Sequence, residues 1–497
     1  MNQPSFYWHD YETFGTDPRR DRPAQFAGQR TTMDLEPIGE PLTLYCKPAP
    51  DVLPSPVACL VTGITPQLAE RDGVIEAEFA ARIHEELAQP GTCGAGYNTL
   101  RFDDEFTRNL LYRNFYDPFA REWENGNSRW DIIDLARMAY ALRPHGIEWP
   151  RRDDGSVSFR LEDLAKANHL AHERAHDAQS DVQATIALAK LLRVRQPRLF
   201  DFYFALRRKQ RAFELLDFVH RTPVLHVSSR YPAERGCLAL VVPLAQHPSR
   251  PNDIIVYDLS ADPTALIELD ADAIAARVFT SRADLPEGIE RIPLKTVHAN
   301  KSPALAPLSA LAGVDRGRIG LDVERCMEHL RRLDGFDGLP DKLRCVFETP
   351  ERAGGEVDVD IAIYDGGFLC DADRRLLRDI RSSLPEELGR RVFPFRDVRC
   401  NEMLFRYRAR NWPQTLSGEE TQRWLEWCAQ RLADPGNPGA RTLDAYFNEL
   451  HELMRTENRN AGETSTLGAL EAWGLARRAD LSRKASVAQG EAAAARG

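Results

Sequence analysis

Cysteine is sparse and unpatterned in this chain of 497 residues. Nine cysteines are scattered from Cys46 to Cys428, and no two form a C-x-x-C pair. That spacing argues against a zinc ribbon and against a disulfide framework, and it predicts a cytoplasmic, reducing setting. Long apolar runs are absent as well. No stretch is long enough to cross a bilayer, and the N-terminus lacks the charged-then-apolar order of a secretory signal, so no membrane partner is expected. No internal repeat is visible. Positive charge is outweighed: 65 Lys and Arg against 75 Asp and Glu leave a formal net charge of −10. On average that is not the profile of a nucleic-acid binder. The veto is weak, because a local basic groove can coexist with an acidic exterior. The length predicts two to four domains of ordinary size.

The stretch that organises the rest is Phe6-Tyr7-Trp8-His9-Asp10-Tyr11-Glu12-Thr13. Aromatics at this density favour a strand. Strand side chains alternate between faces, so Asp10 and Glu12 point the same way. Two adjacent carboxylates repel and raise each other's pKa unless a cation lies between them. Three readings stay open on the pair alone: an exposed acidic strand end, a single structural metal, or a catalytic metal pair.

Residues 5–12, 24–31 and 42–47 read as three strands separated by Pro and Gly. Thr65-Pro66 is a helix start, followed by Phe79, Ile83 and Leu87 at helical spacing. Residues 93–97 form a short strand. The apolar stripe Phe106, Leu110, Leu111 places Asp103, Asp104 and Glu105 in a helix's first turn, where the helix dipole favours acids in any case. A meander followed by alternating helices and strands predicts a mixed α/β sheet. Residues 115–140 carry Phe115, Tyr116, Phe119, Trp123, Arg129, Trp130, Arg137 and Tyr140. Rings interleaved with cations suit a groove for a single strand, but taken by themselves they read first as a core with a solvated edge. Val182, Ile186, Ala189 and Leu192 mark one face of a helix that carries Asp181, with His176 five residues ahead. Beyond Gln196-Pro197 the character changes. Basic residues 207–211 precede β-rich runs at 224–227, 238–244 and 254–259, and helices are expected near 321–333, 371–382 and 416–456. Phe405 to Trp412 again alternates ring and cation. The Ala/Gly-rich residues 481–497 read as a disordered tail.

Asp10, Glu12, Asp103 and Asp181, if they converge, call for about two divalent cations, and two ions roughly 3.5–4 Å apart form a known clamp for phosphoryl transfer. Ligands that are all oxygen favour Mg²⁺, with Mn²⁺ as a substitute. His176 could take the proton from an attacking water.

The order D-x-E, then D at a helix start, then H-x4-D resembles the DEDDh 3′→5′ exonucleases. Longer runs resemble the bacterial exodeoxyribonuclease I family within them: residues 9–15, 21–27, 96–98, 101–105, 140–144, 195–201, 298–301 and 407–411. The likeness covers the chain up to the tail. It implies an RNase H-like nuclease domain with a mixed sheet (1–196), a β-rich SH3-like domain (197–350) and a helical C-terminal domain (351–480). It implies stepwise release of 5′-mononucleotides from the 3′ end of single-stranded DNA, in DNA repair and recombination, by a monomer. Asp10, Glu12, Asp103 and Asp181 become metal ligands and His176 the general base. Glu12, Thr13, Arg108, Phe119, Trp123, Arg137 and Arg160 become substrate contacts. The acidic tail of single-strand DNA-binding protein becomes a partner, with Arg143 and the helix at Phe200–Phe204 as candidate rim. Two departures stand out: an acidic residue is missing around Thr31-Thr32, and the tail is extra. An exoribonuclease of the same superfamily and a non-catalytic single-strand-binding adaptor are the competing readings. A substrate carrying 2′-hydroxyls separates the first, and a metal-dependent digestion the second.

Overall fold

The structure is a computed structural model. It describes residues 3–171, 177–348, 357–365, 367–437, 439–456 and 459–494, with side chains through residue 481. His172 and His176 lie outside the described residues.

The first domain is built on the aromatic strand β1 (Ser5–Thr13). It is followed by β2 (Pro23–Thr32), β3 (Pro37–Tyr45), helices α1 (Pro56–Thr62), α2 (Pro66–Asp72) and α3 (Glu76–Leu87), and β4 (Thr92–Gly96). Then come α4 (Asp103–Arg113), β5 (Ser128–Asp131), α5 (Ile132–Leu142), α6 (Leu161–Ala167) and α7 (Ala178–Arg195). The sheet order is β3-β2-β1-β4-β5. β1–β2 and β2–β3 pair antiparallel, whereas β1–β4 and β4–β5 are parallel. This is the mixed sheet expected. The third strand starts at Pro37 rather than residue 42, because Ile38 pairs with Arg30 beyond a register shift after Gly28. Such a shift leaves no mark in local composition. β1 is central and covered on both faces, so Phe6 and Trp8 are fully buried.

Two helices, α8 (Pro197–Ala205) and α9 (Lys209–Leu215), lead into a second sheet of β6 (Val224–Val227), β7 (Leu238–Gln246) and β8 (Asp253–Asp258). After α10 (Thr264–Glu268) and α11 (Ala271–Phe279) the sheet closes with β9 (Leu294–His298) and β10 (Ala304–Pro307). Its order is β10-β6-β7-β8-β9, antiparallel throughout. The last two strands are short, and sequence reading passes them by. α12 (Val323–Asp334) and α13 (Leu339–Phe347) pack on this sheet, in one apolar core with the first domain. The Tyr203 hydroxyl reaches both the Asp131 carbonyl and the Ser302 carbonyl at 3.1 Å, linking the two domains.

The rest is helical: α14 (Asp371–Ser382), α15 (Pro385–Leu388), α16 (Arg399–Asn411), α17 (Gly418–Ala433), α18 (Leu443–Arg455) and α19 (Ala461–Ala494). α19 continues through 481–494, the stretch read as a disordered tail. Alanine is the strongest helix former, so a helix can persist there without a core-facing pattern. On α16 the structure decides between the two readings of the ring-and-cation run. That run is not an open binding face, since Phe405, Arg406, Tyr407 and Arg408 are all buried. Arg410 makes a two-pronged contact with Asp51, at 3.0 and 2.9 Å, and bonds Asp360 as well. Arg406 and Arg431 share Asp358, each at 2.7 Å. Burial would raise the Asp51 carboxyl, but Arg410 and Arg431 outweigh it and hold the pKa at about 2. Removing one partner strands a buried charge, so Arg410→Ala should destabilise the docked C-terminal domain by about 3–5 kcal/mol. Urea denaturation followed by tryptophan fluorescence measures this, and a loss below about 1 kcal/mol, the scale of exposed pairs, would show the network to be solvated.

Candidate active site

Two elements bring the acidic residues together. Asp10 and Glu12 leave the same face of β1 near its C-terminal end, and α7 packs against that strand. Two polar contacts anchor the N-terminus of α7. Asp177 caps it by accepting the Ser180 N–H at 3.1 Å, and the Gln25 side chain on β2 accepts the Ala178 N–H at 3.3 Å. Asp181 therefore sits in the first turn. Carboxylate oxygens of Asp10, Glu12 and Asp181 lie within 4.8 Å of one another.

Asp103 arrives from the neighbouring strand. β4 ends at Gly96, where a Cβ would come within 2.8 Å of the His9 carbonyl and 2.1 Å of the Thr99 side chain. Only glycine permits that approach. Asn98 follows in a left-handed conformation with φ 65°. The Asp131 carboxylate holds this turn by accepting the N–H groups of Asn98 (2.9 Å) and Leu100 (3.2 Å), and it caps α5 through Ile133 (3.0 Å). α4 then begins at Asp103, whose Oδ1 accepts the Tyr11 N–H at 3.0 Å, between the two β1 acids. Behind it the buried Asp104 accepts Arg121 (2.6 Å) and Arg129 (2.9 Å).

The electrostatics of the two neighbouring aspartates differ sharply. Burial raises the Asp10 carboxyl well above the usual range, and Asp103, Asp181 and Glu12 raise it further. Glu12 is pushed up to about 8 by burial, with Asp181 and Asp177 adding to it. Asp103 is raised, chiefly by burial. Asp104 is buried as deeply, yet Arg121 and Arg129 hold it low. Asp104 is a paired structural acid, whereas the Asp10 cluster gathers carboxylates that raise one another's pKa. Its oxygen-only donors, with Glu12 buried and Asp10 and Asp181 partly exposed, suit a hard divalent ion.

A cleft of about 670 Å³ opens beside this cluster, with Asp181, Tyr97, Asn98, Arg137, Phe159 and Arg160 in its walls. Arg137 and Arg160 thus line the cleft that Asp181 borders. Thr13 is buried at the end of β1, its hydroxyl donating to the Gly15 carbonyl at 2.6 Å. Trp123 projects outward, 66% exposed. Phe119 is half-buried against Tyr364 and Phe368 of the C-terminal domain. Arg108 is turned inward: Glu122 takes two of its N–H groups at 2.7 and 2.8 Å, Glu105 a third at 2.6 Å, and its guanidinium lies over the Phe119 ring. Of the other rings and cations in 115–140, Phe115 and Trp130 are core, and Arg129 serves Asp104. Sequence reading missed Asp131 and Asp134. The available signal was the Trp-Asp-Ile-Ile-Asp start of α5, an N-cap acid ahead of an apolar run.

A mixed sheet whose central strand and two flanking helices present converging carboxylates defines a metal-dependent nuclease of the exonuclease superfamily. Family models agree along the chain: "Exonuclease" over residues 7–189, "Exonuclease I SH3-like domain" over 207–349 and "Exonuclease I C-terminal domain" over 357–477. Exodeoxyribonuclease I of Escherichia coli K12 is 46% identical over 468 residues, spanning 94% of this chain and 97% of that protein. An exonuclease I from Methylocaldum szegediense superposes with a TM-score of 0.91 at 54% identity, covering 95% of this chain and 99% of the other. A zinc-bound form of the E. coli exonuclease I–single-stranded DNA complex gives 0.91 at 44% identity, covering 96% and 100%. The chain belongs to the exodeoxyribonuclease I family. It is an exodeoxyribonuclease, and the exoribonuclease and adaptor readings fall.

Proposed function

We propose that this enzyme removes 5′-mononucleotides from the 3′ end of single-stranded DNA with two Mg²⁺ ions, Mn²⁺ being able to substitute, in the cytoplasm and in the service of DNA repair and recombination. The carrying observation is the convergence of Asp10, Glu12 and Asp181, with Asp103 beside them on the Tyr11 amide. These four would hold the metal, which when bound supplies charge stabilisation for phosphoryl transfer. His176 would accept the proton of the attacking water. Arg137 and Arg160 would clamp phosphates in the cleft, Thr13 and Glu12 would contact the terminal nucleotide, and Phe119 and Trp123 would stack bases. For Arg108 the pairing with Glu105 and Glu122 favours a role through Phe119. We divide the chain functionally at 196, 350 and 480, with a monomer as the working unit. The cytoplasmic setting is supported by nine unpaired cysteines, and among the described residues no helix is long and apolar enough to cross a membrane.

The test is digestion of 3′- and 5′-labelled single strands with Mg²⁺, with Mn²⁺ and with excess chelator. Immediate loss of the 3′ label, laddering of the 5′ label and silence in chelator are expected. Full activity in chelator, or first release of the 5′ label, would refute the reading.

A partner reading accompanies it. The acidic, apolar-ended tail of single-strand DNA-binding protein needs an apolar pocket rimmed by arginine. Arg143 donates to the Leu142 and Ala310 carbonyls at 2.6 and 3.0 Å, and Phe202 on α8 is 37% exposed. A fluorescent peptide of that tail should bind at low salt and lose affinity in Arg143→Ala. Absence of binding by the wild-type chain at low salt disposes of the idea.

A further inference from the structure

One acid and two arginines join the active-site cleft to its neighbour. Asp134, in the first turn of α5, accepts Arg137 Nη1 on one oxygen at 2.6 Å and Arg101 Nη2 on the other at 2.7 Å. The two guanidiniums open on different hollows. Arg137 lines the cleft that contains Asp181. Arg101 and Asp134 line a second groove of about 1620 Å³, walled on its far side by β9. Ser229 and Tyr231 border both hollows, so the two adjoin. The Arg101 side chain is 43% exposed, although it lies only two residues before Asp103. Lys295 lines the same groove over the Tyr231 ring, and its buried Nζ has no hydrogen-bond partner. Arg137 keeps a buried Nε without a partner as well.

The groove is mixed in charge, its cations Arg101, Arg230 and Lys295 interleaved with acids such as Asp131 and Asp258, and Asp134 cannot help an anion there through its charge. What it can do is fix geometry. Each guanidinium carries five N–H groups in a planar fork, and one contact to Asp134 orients the plane while leaving donors free. We propose that Arg101 is a further phosphate-contacting residue of the substrate path, and that Asp134 is a positioning residue that splays Arg101 and Arg137 onto different phosphates of one strand. This rests on the reading that the strand occupies the Asp181 cleft. The strand passes from that cleft, by way of Ser229 and Tyr231, into the groove of Arg101 and Lys295.

The experiment is equilibrium binding of a fluorescent oligothymidylate to the full-length chain in chelator, over a range of salt concentrations. Arg101→Ala should raise Kd about 10-fold at low salt, the scale of one charged hydrogen-bonding contact. It should also flatten the plot of log K against log salt by about 0.7, the single-strand value for one phosphate. Arg101→Lys should keep the slope. Asp134→Asn separates positioning from charge by sign. Coulomb's law alone makes removal of an acid tighten DNA binding, whereas loss of positioning weakens it and flattens the slope. Tighter binding by a folded Asp134→Asn would overturn the positioning role. If that variant fails to fold, the exposed Arg101 pair decides by itself. Arg137→Ala is the control. Weakened binding in Arg137→Ala with none in Arg101→Ala overturns this inference and leaves the cleft reading standing. No change in either overturns both.

Discussion

Asp10→Ala and Asp181→Ala should each remove nuclease activity while leaving the fold intact. The three clustered carboxylates are a group of oxygen donors, found among the described residues, that can neutralise a divalent cation. Losing one ligand removes both charge and geometry, so the rate should fall by more than about 10²-fold, beyond the 10–100-fold seen for outer partners of metal ligands. Stability should move the other way when metal is absent. Glu12 rises on folding from 4.5 to about 8 because of burial and the neighbouring Asp181 and Asp177. Below that window the carboxyl is protonated in folded and unfolded chains alike. As pH climbs through it, the unfolded chain ionises first and is favoured. Chelated wild-type protein should therefore lose stability from about pH 4.5 to 8, and Asp10→Ala or Asp181→Ala should lose less, because one repelling charge is gone. Melting temperatures in chelator at pH 5 and pH 8 measure this. Retained activity in both variants would sink the ligand assignment, and equal pH sensitivity of variant and wild type would sink the repulsion argument.

His176→Ala should lower turnover by about 10²–10⁴-fold, the contribution of a positioned acid–base group, with little change in DNA affinity. The basis is the H-x4-D spacing to Asp181. Asp181 lies in the first turn of α7 against Asp10 and Glu12. Single-turnover digestion with enzyme in excess reads the chemical step, and anisotropy in chelator reads affinity. If affinity collapses while the rate per bound complex holds, His176 is structural and another group takes the proton.

Several site residues were legible before any fold was known because the relevant physics is local. Period-two alternation put Asp10 and Glu12 on one face. The stripe Val182, Ile186, Ala189, Leu192 marked the buried side of α7 and placed Asp181 on the helix. Phe106, Leu110 and Leu111 did the same for Asp103 on α4. Other features stayed open where one local pattern serves two ends. Alternating rings and arginines at 405–412 fit a DNA groove as well as a buried ion network. Arg410 finds its acids 50 and 359 residues away, at Asp360 and Asp51. The same ambiguity ran through 115–140, where Trp130 is core and Trp123 is exposed.

By itself the sequence determined the periodicities, the order of the acids and the long family-like runs, and so the class of chemistry and the candidate residues for it. Those depend on neighbours a few positions apart, whose geometry the backbone fixes. Tertiary structure alone decided which charges are free to act. Asp103 and Asp104 are adjacent in the chain and equally buried. Arg121 and Arg129 close on Asp104 and hold it ionised, whereas Asp103 turns to the Tyr11 amide beside three other acids. Whether a carboxylate is paired inside the protein or left to attract a cation is set by what the fold brings within a few ångströms of it, and the order of residues along the chain does not contain that distance.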